Sequence, residues 1–189
     1  MQYVMILIIN VILTNILFGQ VSVQDSVTDS GNQFGAEVDM LPYITGGYYA
    51  SAWVGISNLN LRIRPVVARV DVPEFALKEG YNRNRLTAVA LIADYFPQGT
   101  LEGIWIGTGI ELWNGKVESD AGVSADYTNW QYTLGGGYVW KIYKGFYVNP
   151  WGALHLRIAG DREVQTGSIL YRHDAVTYEV SLKFGWQFH

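Results

Sequence analysis

Cysteine is absent from the 189 residues, which excludes disulfides, thiolate-held metals and a lipid-modified cysteine behind the leader. Proline is scarce, at 5. Positive charge is in deficit: the net charge is -4 and the pI near 5.3, so no basic field exists to hold nucleic acid. Also missing are a G-x-S-x-G elbow, an H-E-x-x-H helix and a phosphate-binding glycine loop. The run Gly135-Gly136-Gly137 lies inside a strand pattern, where it permits close packing or a bend. The one long apolar stretch, Val4 to Phe18, is shorter than the ~20 residues a membrane-spanning helix needs. It suits a secretory signal peptide over residues 1–20, with a membrane anchor as the alternative; no Lys or Arg precedes it. Residues 21–31 then form a short polar lead-in, and residues 32–189 a single domain.

Glycine and aromatics are plentiful: 21 Gly, 13 Tyr, 7 Trp and 7 Phe, a β composition. Mean hydropathy is only +0.08. Strands that alternate average to that value even when one whole face is apolar, so bulk hydropathy does not argue against a membrane.

The last stretch alternates without a break. Val176, Tyr178, Val180, Leu182, Phe184, Trp186 and Phe188 make one apolar wall, while Thr177, Glu179, Ser181, Lys183, Gly185 and Gln187 line the other. The same period predicts strands at about 146–158, 126–142, 101–116, 84–96, 59–72 and 46–56. Tight turns at 57–58, 97–100 and 143–145 alternate with longer polar loops at 73–83, 117–125 and 159–173. With both ends of the chain on one side, parity requires one more strand, and residues 33–40 supply it. The expectation is an all-β fold, an eight-stranded antiparallel up-and-down barrel. In the strand around 59–72, Pro65 interrupts a run in which Arg62 and Arg64 share one face and Arg69 takes the other, which predicts a bulge.

Alternation alone does not say which face is inside. A soluble ligand-binding barrel turns its apolar face inward and a charge-rich face to water. Here the polar face is mostly small residues with isolated charges of both signs, as in Trp105, Gly107, Gly109, Glu111 and Gln131, Thr133, Gly135, Gly137. That composition fits a narrow lumen, and Ile104, Ile106, Ile110 and Leu112 on the other face fit lipid. Aromatics gather near strand ends, Tyr95, Phe96, Trp140, Tyr143, Phe146, Trp186 and Phe188 at one edge and Trp113, Tyr127, Trp130 and Tyr132 at the other, as two interfacial belts would.

From Phe34 to Phe188 this pattern resembles the small eight-stranded outer-membrane barrels of Gram-negative bacteria, the architecture of the OmpA transmembrane domain, OmpX and OmpW. The resemblance implies an outer-membrane location, no cofactor, a monomer surrounded by membrane lipid and lipopolysaccharide, and delivery by the barrel insertion machinery. The insertion signal it implies is carried by Tyr178, Phe184, Trp186 and Phe188, although His189 follows the final aromatic. It implies no peptidoglycan-anchoring role, since no further domain is seen after the barrel.

The expected lumen collects Glu37, Arg62, Arg64, Asp94, Glu111, His155, Arg157, Glu179 and Lys183. Buried charges persist only when paired, so these residues are expected to plug the barrel as a salt-bridge network, with Arg157 and Lys183 meeting Glu111, Glu179 or Asp94. The alternatives are a narrow small-solute channel, or an exported soluble lipocalin-like barrel binding a hydrophobic ligand. Ser181, His155 and Glu179 share a face, but a symmetric last hairpin sets His155 opposite Thr177 and Ser181 opposite Trp151, out of the ~3 Å reach that nucleophile and base require. The expectation is therefore a structural or surface-interaction protein and not an enzyme. Mixed charge in the outer loops is an ordinary solvated surface without ligand spacing for a metal.

Overall fold

Every strand predicted by period 2 forms, and the first and last strands pair to close the ring, leaving only the outer part of the last strand unpaired on the side of the first. The computed structural model describes residues 32–188; the expected signal peptide (1–20), the lead-in (21–31) and His189 lie outside them. Its elements are β1 (Asn32–Asp39), a one-turn helix α1 (Met40–Ile44), β2 (Tyr48–Ile56), β3 (Leu61–Asp71), β4 (Tyr81–Tyr95), β5 (Gly103–Ser119), β6 (Ser124–Tyr143), β7 (Phe146–Gly160), β8 (Glu163–Thr166), β9 (Ile169–Arg172) and β10 (Val176–Phe188). Eight of the strands close an antiparallel barrel in the order β1-β10-β7-β6-β5-β4-β3-β2, and β8 with β9 forms a separate hairpin in the β7–β10 connection. The longer connections, holding α1 and this hairpin, lie at the end away from Asn32 and Phe188. By the usual asymmetry of such barrels that end is external and the end with the short turns periplasmic.

Three expectations change. The connection at 117–125 is mostly strand, because the β5–β6 ladder continues to Glu118–Ser124. No bulge occurs at Pro65: the β3–β4 register runs unbroken through Pro65–Leu91. Against β2 the ladder skips two pairs between Ser51–Val66 and Val54–Ile63 and resumes in the same register, as it can where proline lacks an N–H. Arg62, Arg64, Val66, Ala68 and Val70 therefore all point inward, and what changes along β3 is the character of the inner face, not its direction. The aromatic belts are also thinner than expected. Phe96 is fully buried, Tyr127 is buried and Trp113 turns inward, whereas Tyr95, Trp140, Tyr143, Trp186 and Phe188 are exposed at the periplasmic edge and Trp130 at the outer one.

Large rings in so narrow a lumen lie across the neighbouring strand where it has no side chain. A Cβ on Gly35 would stand 2.3 Å from the Trp53 ring, and one on Gly185 2.1 Å from the Tyr147 ring. Tyr147 cannot retreat, because its hydroxyl accepts from Trp53 Nε1 at 2.7 Å and donates to Glu37 at 3.0 Å. Gly185→Ala is expected to destabilise the barrel by about 1–3 kcal/mol through overpacking, read as a lower urea midpoint for unfolding from lipid vesicles. An unchanged midpoint would contradict this packing.

Candidate functional site

From the periplasmic mouth upward, the lumen is stacked in layers. The lowest is aromatic: Trp53, Phe96, Leu101, Trp105, Val139 and Tyr147 pack together, with Phe96 and Leu101 brought in by the β4–β5 turn. Above it lies the ionic layer. Period 2 places Arg62 and Arg64 side by side on the inner face of β3, Asp94 beside them on β4 and Glu37 on β1. Both Nε atoms approach Asp94 Oδ2 at 2.9 Å, and Arg64 Nη2 adds Oδ1 at 3.1 Å. Arg62 Nη1 donates to Glu37 Oε1 at 3.0 Å, which also accepts from Asn149 Nδ2 at 3.1 Å. Arg64 Nη1 donates to the Tyr49 hydroxyl at 2.8 Å. The Arg62 guanidinium also sits 5.3 Å from the Phe96 ring centroid and 5.7 Å from those of Trp53 and Trp105, so cation–π contact joins the two layers.

A second cluster stands higher, on β5, β6, β7 and β10. Glu111 accepts from the Thr133 hydroxyl and from Trp113 Nε1, each at 2.7 Å. Thr133 Oγ1 lies 2.9 Å from His155 Nδ1. Because the threonine has given its only proton to Glu111, Nδ1 is the donor in that contact. Glu111 and Glu179 flank the imidazole at 3.4 and 3.6 Å.

All nine of the residues expected in the lumen lie on the inner face of their strands, but the pairing departs from the expectation. Arg157 and Lys183 make no ion pair with Glu111, Glu179 or Asp94. Arg62 and Arg64 stand nearer Asp94 and take it, and His155 takes the two glutamates. Lys183 instead lies among rings, 3.3 Å from the centroid of Trp151 and 5.2 Å from that of Tyr49. Sequence reasoning missed Asp39, fully buried and bound by Ser181 Oγ, by Trp151 Nε1 at 2.6 Å and by the Leu41 N–H at 3.0 Å. Two residues after Glu37 it had the parity to be found. Ser181 thus serves Asp39, and it faces Trp151 while His155 faces Thr177.

Above the ionic layer the inner faces of β3 and β4 turn apolar and surround a cavity of about 490 Å³. At the outer mouth the β8–β9 hairpin folds inward. Tyr171 stacks edge-on against Tyr81 with centroids 4.9 Å apart, and its hydroxyl accepts from Asn84, whose Oδ1 accepts from Tyr127. His173 is wedged between Tyr127 and Tyr171.

No family model matches the chain, and no curated protein matches it. Among solved structures it is similar to a major outer membrane protein from Thermus thermophilus, 11% identical with a TM-score of 0.53, over 84% of this chain and 100% of that one. The chain folds as an outer-membrane β-barrel. A further likeness is to Neisserial surface protein A, 13% identical with a TM-score of 0.48, over 83% of this chain and 96% of that one. The outer wall agrees with this fold: Val89, Leu91, Ile106, Leu154, Ile158 and Val180 are each at least half exposed, a surface that only lipid covers at low cost. Fold and apolar outer wall together describe a barrel that sits in a membrane. Among the described residues, no group of three or more His, Asp or Glu is placed to hold a metal.

Two expectations follow. Asp94→Ala strands two buried guanidinium groups and should cost about 3–5 kcal/mol, measured as a lower denaturant midpoint in vesicles; a loss well under 1 kcal/mol would show that the layer is hydrated and not a dry network. In the external cap, burial, helped by the Arg157 and Lys78 cations and opposed by Asp161 and Asp174, lowers His173 to about 4, against an ordinary value near 6.5. A depressed histidine binds its proton more readily once the cap opens, so closure is fully favoured above about 6.5 and weakens as pH falls towards 4. Hydrogen exchange at β8 and β9 should accelerate over that window after correction for intrinsic rates, and His173→Gln should flatten the dependence.

Proposed function

We propose that this barrel is a plugged, non-conducting structural and surface-interaction protein of the outer membrane, monomeric among lipid and lipopolysaccharide, using no cofactor and catalysing no reaction. One observation carries the reading: Glu37, Arg62, Arg64 and Asp94 are all buried and cross-linked over the aromatic layer, and the cavity ends on Arg64, Lys183 and Trp105 without reaching Trp53, Phe96 or Leu101 below. A solute would have to break several charge-assisted hydrogen bonds to pass. The Ser181–Asp39 contact and the offset from His155 support the absence of a nucleophile–base pair. Tyr178, Phe184, Trp186 and Phe188, on the lipid side of β10, form the pattern for the insertion machinery to read.

In planar bilayers the refolded protein is expected to give no discrete conductance steps, and vesicles containing it should not swell in arabinose. Stable unitary steps would replace this reading with the small-solute channel.

A further inference from the structure

The floor of the cavity in the outer half carries a cation without a partner. Lys183 is 1% exposed, lines the cavity floor, and among the described residues is the one fully buried charged side chain with neither a hydrogen bond nor an ion pair. Three aromatic rings hold its ammonium, those of Trp151, Tyr49 and Trp105. Its neighbouring acids are committed elsewhere, Asp94 and Glu37 to the arginines and Asp39 to Ser181, Trp151 and Leu41. Ring faces offset part of the cost of burying a cation, but they supply no hydrogen-bond acceptor. Over this floor the side of the wall built by β3 and β4 is hydrocarbon: Val66, Ala68, Leu86, Ala88, Ala90 and Ile92.

The cavity also reaches the outside through the wall. β10 pairs with β7 from Val176 to Trp186 but with β1 only from Lys183 onward, because β1 stops at Asp39 and the chain turns into α1. The edge of β10 from Val176 to Leu182 therefore has no strand beside it. Tyr178 lies on the lipid face and is 78% exposed, yet it lines the cavity together with Val176 and with Leu41 and Pro42 of α1. Above this window Lys78 closes the frame, donating to Asp174 at 2.9 Å and to the Arg172 carbonyl at 2.5 Å. An opening at this height faces the outer leaflet.

We infer that the outer half of the barrel binds a single-chain amphiphile with a carboxylate head, a long-chain fatty acid, which enters sideways between β10 and α1 and sets its carboxylate on Lys183. The tail lies along the apolar wall of β3 and β4, and the volume falls within the ~300–1,000 Å³ usual for small-molecule sites. The head gains a charge-assisted hydrogen bond in a dry site, while Glu111 on β5 and Glu179, four residues before Lys183 on β10, are occupied with His155. The plug serves only as the floor, so this binding stands or falls separately from conductance.

The test is to titrate the refolded barrel, in a non-ionic detergent, with palmitate and with hexadecanol and to follow occupancy by native mass spectrometry. One palmitate per barrel is expected, with hexadecanol held roughly tenfold or more weakly, the usual weight of a hydrogen bond to a charged group. Lys183→Met should remove that preference, and Ala88→Trp, which fills the cavity from the opposite wall, should abolish retention of both. Equal retention of the two chains by the native barrel, no retention of palmitate, or full retention by Ala88→Trp would each overturn the site. Should Lys183→Met not regain heat-modifiable mobility on gels, the palmitate–hexadecanol ratio and Ala88→Trp decide.

Discussion

An eight-stranded ring is only as wide inside as the side chains that point into it, and two adjacent arginines of β3 point there. Everything in the periplasmic half follows from finding them partners. Asp94 lies beside them on β4, Glu37 reaches across from β1, and Tyr147 and Asn149 donate further to Glu37, with Trp53 donating in turn to Tyr147. Aromatic faces close the remaining space below, and glycines on the neighbouring strands make room for the rings. A buried charge left without a partner costs more than an apolar residue in its place, so such a layer is held as a unit.

The outer half is built differently. β3 and β4 exchange arginine and aspartate for valine, alanine, leucine and isoleucine without changing parity, while β5 to β7 keep glutamate, threonine and histidine on the facing wall. Small side chains leave the centre open, and an inward-folded hairpin roofs it. The wall itself is complete only where β1 exists. Its end at Asp39 frees seven residues of the β10 edge, and α1 packs beneath the gap, capped by the same Asp39 that anchors Ser181 and Trp151.

Much of this was legible. The strands, the eightfold parity, the inward face and the offset between Ser181 and His155 all derive from a period of two and from antiparallel register, which act locally. Less was legible where one residue type serves two environments. Phe96 and Tyr127 carry aromatic rings that suit an interface or a core equally, and the tucked β4–β5 turn and the external cap decided for the core. Pro65 marked an irregularity, but its missing N–H falls where the β2 ladder skips two pairs and costs no change of register.

The sequence by itself determined the barrel and the inward face of each strand, because alternation assigns each side chain to a face whatever its neighbours do. Only the tertiary structure decided who pairs with whom. Arg157 and Lys183 looked equivalent to Arg62 and Arg64 in the chain, but strand stagger sets each cation at its own height, and ion pairs form only within a few ångströms. That stagger gave Asp94 to the arginines, left Lys183 among aromatic rings, and opened the cavity to the side of the barrel.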